Sequence, residues 1–183
     1  YVANNLGNNN YVVQVVGPHG VVSSIPLPGA PSWMVYDPVN SYVLVTTNAG
    51  VFAIKGFKVV HSYTSAYYRG TYTAFPQFLL VNPDTGTIYG VNSLILSYGL
   101  TYTNVLVFSP SNLSVVKYFQ IRPAIFPLTS AAFANGKIYL LSGPQIYYVN
   151  PNNGSYGVAL SLPPVPISGA SVNMDFMTYS PQL

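Results

Sequence analysis

At 183 residues the chain is long enough for one domain with its own core, and it contains no cysteine, which excludes a disulfide scaffold, thiolate catalysis and thiolate metal ligation. Charged residues make up only 5%: Asp37, Asp84 and Asp175, with no glutamate, against Lys55, Lys58, Arg69, Lys117, Arg122 and Lys137. A net charge of +3 spread this thinly forms no basic run that tracks a phosphate backbone, so nucleic acid is excluded as a partner, and hydroxyls, amides or attached sugar must supply solubility.

Short β-branched and aromatic runs separated by turn clusters predict an antiparallel all-β fold, with no stretch holding a helical apolar period. In chain order, residues 1–4, 11–16 and 21–25 read as three strands, with a hairpin tip at Gly17-Pro18-His19-Gly20. A four-strand unit follows: residues 32–36, a turn at Asp37-Pro38-Val39-Asn40, then 42–45, 50–54 and 58–61. The same order recurs in 77–81, a turn at 82–86, 87–91, 104–108 and 114–118. It recurs again in 130–133, 137–141, 145–149, a turn at 150–154, and 156–160. Residues 172–177 read as a first strand without a blade of its own.

Equivalent positions lie roughly 40 to 53 residues apart, the period of a four-stranded β-propeller blade. The expected blade equivalents are 1–30 plus 171–183, 31–75, 76–128 and 129–170, within a single domain. Placing 172–177 beside the N-terminal strands completes about four blades and removes the open edges. The competing reading is a fragment of a larger propeller.

Tyr1-Val2-Ala3-Asn4, Asp37-Pro38 followed by Tyr42-Val43-Leu44-Val45-Thr46-Thr47-Asn48, and Pro83-Asp84-Thr85-Gly86-Thr87-Ile88-Tyr89 resemble YVTN-type β-propeller repeats. The resemblance implies an exported or surface-layer protein, prokaryotic or archaeal, many relatives of which have no assigned activity. It departs at Ser109-Pro110 and Asn150-Pro151, where the family often carries an acidic residue.

No apolar run approaches the ~20 residues of a membrane-spanning helix, so no transmembrane segment is expected in this chain. A start at Tyr1 without methionine or signal segment reads as a mature or excised piece of a precursor. Two sequons, Asn112-Leu113-Ser114 and Asn153-Gly154-Ser155, are glycosylation candidates and fit an extracellular or cell-surface location. Scarce carboxylates leave few groups whose protonation undermines a fold, so acid stability is expected.

General acid–base chemistry draws on paired carboxylates or an oriented histidine, and the supply here is meagre. Asp37 and Asp84 read as turn caps at equivalent positions, Asp175 as a buried polar contact, and His19 as a solvated hairpin residue. His61 ends a strand without a supporting carboxylate, so neither a metal site nor any cofactor is expected and no residue is assigned a catalytic role. Trp33, Phe52, Phe78, Phe108 and Phe133 read as packing between blades.

Binding is expected instead from two insertions rich in tyrosine and hydroxyls, 63–73 and 93–103, with Tyr63, Tyr67, Tyr68, Arg69, Tyr72, Tyr98 and Tyr102 as contact residues. The plainer alternative is that both are long hairpins with cross-strand tyrosine and threonine pairs. The expected role is a non-catalytic structural or interaction module of an exported surface protein. Its partners would be surface proteins or glycans, with self-association open. A carbohydrate-binding module or accessory propeller of a secreted enzyme is the alternative.

Overall fold

The computed structural model describes residues 1–95 and 99–162, and all regular structure among them is β. Strands β1 (Val2–Asn5), β2 (Tyr11–Gly17) and β3 (Gly20–Leu27) form a three-stranded sheet in sequence order. Three four-stranded sheets follow, also in sequence order. The first of these holds β4 (Pro31–Asp37), β5 (Tyr42–Thr47), β6 (Gly50–Lys55) and β7 (Lys58–Tyr63). A short hairpin, β8 (Tyr67–Tyr68) and β9 (Thr71–Tyr72), comes next. Then come β10 (Phe78–Val81), β11 (Ile88–Ile95), β12 (Thr101–Phe108) and β13 (Val115–Ile121). The last sheet holds β14 (Ser130–Ala134), β15 (Lys137–Ser142), β16 (Gln145–Val149) and β17 (Tyr156–Ser161). The strand expected at 172–177 lies outside the described residues.

The chain divides into two compact units. One comprises Tyr1–Gly90 with Leu106–Lys117; the other comprises Val91–Val105 with the chain from Tyr118 onward.

Among the described residues one turn design recurs four times, at residues 37–42, 82–87, 109–114 and 150–155. Each opens with Asp37, Asn82, Ser109 or Asn150, each followed by proline, and each holds its fifth residue at positive φ: Ser41 at 58°, Gly86 at 70°, Leu113 at 58° and Gly154 at 75°. In three of them the fifth amide donates to the first carbonyl, at 2.8 Å from Gly86 to Asn82, 2.9 Å from Leu113 to Ser109 and 2.8 Å from Gly154 to Asn150. The first amide donates in turn to the sixth carbonyl, at 2.9 Å for Asn82 to Thr87 and 2.8 Å for both Ser109 to Ser114 and Asn150 to Ser155. In the earliest turn, Asp37 and Tyr42 are paired across the hairpin.

The first side chain caps its own turn: the amides of Val39, Asp84 and Asn152 donate to Oδ1 of Asp37, Asn82 and Asn150 at 3.0, 2.9 and 2.9 Å. Asp84 is therefore not the counterpart of Asp37. That counterpart is Asn82, and Asp84 is an exposed turn residue two positions on. Aligning by the acidic side chain misplaces the repeat, because the turn requires a short acceptor before proline and not a charge.

Serine and leucine at the fifth position are the exceptions, since a left-handed residue with a Cβ costs about 1–2 kcal/mol. Leu113 is only 1% exposed, and burying its side chain returns about 2–3 kcal/mol, which outweighs the strain.

In the first unit, Val13, Ile25 and Leu27 pack with Val43, Val45, Phe52 and Ile54 in one apolar cluster, so the first two sheets share a core. Further along, Trp33 Nε1 donates to the Leu79 carbonyl at 3.0 Å and its ring meets Phe78 edge-on at 5.0 Å. Thr46, fully buried, places Oγ1 2.6 Å from the Pro76 carbonyl, so the polar atom is satisfied inside the core. Phe52, Phe78 and Phe108 are buried as expected, while Trp33 and Phe133 are half-buried.

Asp37 is 0% exposed and accepts from the amides of Val39 and Asn40 and from Asn40 Nδ2 at 2.8 Å. Because asparagine fills this position in two other turns, Asp37→Asn should cost less than about 1 kcal/mol, whereas Asp37→Ala removes the acceptor of three hydrogen bonds and should cost about 2 kcal/mol. Urea unfolding of the two variants measures the difference.

Candidate functional site

The insertion after β7 folds into a hairpin of its own. Arg69 and Gly70 lie at φ 48° and 82°, the two successive left-handed residues of a tight two-residue hairpin turn. Tyr67 pairs with Tyr72 and Tyr68 with Thr71 across it. The base is tied at the Ala66 carbonyl, which accepts from the amides of Thr73 and Ala74 at 2.8 and 3.2 Å and from Thr73 Oγ1 at 3.2 Å. Ser65 Oγ donates to the Tyr67 carbonyl at 2.8 Å, fixing the approach.

On this base two rings stand outward. Tyr67 is 59% exposed and Tyr72 40%, braced edge to face at 5.2 Å. The Arg69 guanidinium lies 5.3 Å from the Tyr68 ring centroid. Tyr63 does not join them: its half-buried ring meets Phe108 edge-on at 5.1 Å, and burial raises its phenol pKa, offset in part by the Thr73 side chain. The hairpin thus presents an exposed tyrosine pair with one cation at its tip.

The second insertion is not a loop over most of its length. It extends β11 and β12, and Tyr98 lies outside the described residues. Tyr102 sits on β12 at 7% exposure, with the Arg122 guanidinium 5.2 Å from its ring, so it offers no open face. The strands persist because their hydroxyls are satisfied internally: Ser93 Oγ and Thr103 Oγ1 lie 2.7 Å apart, and both donate to the Ile125 carbonyl, at 2.7 and 3.2 Å. Tyr63, Tyr67, Tyr68, Arg69 and Tyr72 belong to the first unit and Tyr102 to the second.

A polar row beside Tyr102 was not anticipated. Arg122 Nε donates to Gln120 Oε1 at 2.9 Å, Gln120 Nε2 to the Tyr118 hydroxyl at 3.0 Å, that hydroxyl to Asn104 Oδ1 at 2.8 Å, and Asn104 Nδ2 to Asn92 Oδ1 at 3.0 Å. The donors all run one way, an arrangement in which neighbouring bonds strengthen each other. Burial raises the Tyr118 phenol pKa, with Gln120 opposing. The signal lay in alternation: Tyr118 and Gln120 share one face of a strand, as Tyr102 and Asn104 do, and Arg122 follows two residues after Gln120, just past the strand's end.

His19 is exposed at its hairpin tip, and His61 is half-buried against Tyr42, whose hydroxyl lies 3.4 Å from Nε2. Asp175 lies outside the described residues. Among the described residues no group of three His, Asp or Glu side chains is placed to hold a metal ion.

No family model matches the sequence, and no curated protein does. Solved structures do match. The chain resembles the WD40 domain of Neurospora crassa Pan2, with a TM-score of 0.56 and 16% identity over 86% of this chain and 51% of that one. It also resembles U3-55K, with a TM-score of 0.54 and 11% identity over 72% of this chain and 39% of that one. The fold is of the β-propeller type. At such identities the likeness speaks for the fold alone, and the chain spans about half or less of the length of either structure.

The two tyrosines expected to act alike should separate in a stability measurement. Tyr102→Ala empties a buried site and should cost about 3 kcal/mol, whereas Tyr67→Ala trims an exposed ring and should cost under about 1 kcal/mol. Thermal melts of the two variants check this.

Proposed function

We propose that the propeller is a non-catalytic interaction module of an exported cell-surface protein, and that the tyrosine hairpin at 65–74 is its contact surface. The observation that carries this reading is the exposure of Tyr67 and Tyr72 on a hairpin closed at its base by its own hydrogen bonds. Rigid tyrosines offer contact area at low entropic cost. The scarcity of charge and the likeness of the turns to YVTN-type repeats support the exported setting, and the three carboxylates of the whole chain suit an acidic exterior. The partner class is a surface protein of the same envelope. The wild-type chain should co-sediment with envelope fractions, and Tyr67→Ala/Tyr72→Ala should lose most of that binding with an unchanged melting temperature. Binding abolished by free oligosaccharide, or seen on a glycan array and lost in the same variant, would transfer the site to the carbohydrate reading.

The finer architecture is part of the same proposal. In every four-stranded sheet the strand equivalent to β1 has a partner on each side, whereas among the described residues β1 is an edge. We infer that residues 172–177 supply the missing first strand and close a ring of about four blades. Removing the chain after Ala170 should then destabilise the domain by several kcal/mol or drive aggregation through the open edge. Hydrogen exchange at Phe176 and Met177 as fast as at a frayed end would instead favour a piece of a larger propeller.

A further inference from the structure

Of the four proline turns, two join first strands to second, at 37–42 and 82–87, and two join third strands to fourth, at 109–114 and 150–155. Both sequons fall in the second pair, at the same place: Asn112 and Asn153 are fourth in their turns, Ser114 and Ser155 sixth. In the first pair the fourth residue is Asn40 or Thr85, and neither begins a sequon.

The fourth strand β17 is exposed at five of six positions and β13 is only partly covered, and the fourth residue of each turn leading into them is exposed. Asn40 shows the contrast, being half-buried with Nδ2 held by Asp37 Oδ2 at 2.8 Å.

Asn112 and Asn153 are exposed, and each side chain is held the same way, Oδ1 accepting from the Ser114 amide at 2.9 Å and from the Ser155 amide at 3.0 Å. That bond engages the oxygen of each amide and leaves Nδ2 without a hydrogen bond among the described residues. The serine contributes its backbone N–H to the turn, and its exposed hydroxyl is available to an enzyme.

We propose that Asn112 and Asn153 are a matched pair of N-glycosylation sites, modified on the folded or folding chain by a membrane oligosaccharyl transferase. The co-substrate is an oligosaccharide carried on a lipid phosphate. Nδ2 attacks the anomeric carbon, a C–N bond forms, the C–O bond to the phosphate breaks, the lipid phosphate leaves with the electron pair, and a base on the transferase takes the amide proton. A glycan at these positions hydrates the solvent-facing end of a blade that has almost no charge.

The inference rests on the exported setting, and the experiment separates the two. The chain is recovered from envelope and cytosolic fractions of its own cells, and the peptides spanning 112 and 153 are weighed by mass spectrometry. Glycan mass on both asparagines in the envelope fraction is the expected result. Ser114→Ala and Ser155→Ala, which keep the backbone N–H that holds the turn, should each abolish the increment at their own site alone. Asn112→Gln and Asn153→Gln should do the same. Bare asparagines in an exported chain overturn the glycosylation and leave the exported reading standing. An increment that survives the serine variants overturns sequon-directed attachment. Recovery only from cytosol overturns the exported reading and the glycosylation with it.

Discussion

Each proline turn holds its fifth residue in the left-handed region, and that dihedral decides where the next strand begins pairing. A slip by one residue would carry every side chain of the strand to the opposite face. In β5, which follows the Asp37 turn, Val43 to Thr47 are all buried, so the register also decides which sheet each meets. The turn tolerates Asp, Asn or Ser at its head and Ser, Gly or Leu at its left-handed site, because what it needs is a short acceptor and a relieved or compensated φ.

With the registers set, the sheets of the first unit join through groups that are satisfied on both sides. Trp33 and Thr46 bond backbone carbonyls at Leu79 and Pro76 while their apolar parts fill the core. Gly90 shows how close this packing is, since a Cβ there would fall 2.8 Å from the Phe108 ring. Buried threonine hydroxyls and asparagine amides occupy a place that ion pairs hold elsewhere, as the four consecutive hydrogen bonds from Arg122 to Asn92 do in the second unit.

The strand order was legible in the sequence, and so were the turns, because period-two apolar runs and the Asp-Pro, Asn-Pro and Asn-Gly punctuation are local signals. So was the hairpin at the first insertion, whose Arg69-Gly70 pair meets a local conformational demand. The fate of the second insertion was not. Tyr102 and Tyr67 have the same chemistry and similar neighbours in sequence, yet one is 7% exposed and the other 59%. Burial depends on what packs from elsewhere in the chain, here Arg122 across Tyr102, and no local pattern encodes it.

Likewise, the equivalence of Asp37 with Asn82 and not with Asp84 follows from which side chain caps the turn, a matter of three-dimensional position. The sequons were visible as triplets, but their sharing one place in two turns that each lead into a fourth strand, with both asparagines exposed, required the strand order and burial. Sequence by itself determined the elements and their succession, because dihedral preference and alternation act within a few residues. Tertiary structure alone decided which tyrosines meet solvent and which asparagines are held in the core, because those outcomes are set by contacts between residues far apart in the chain.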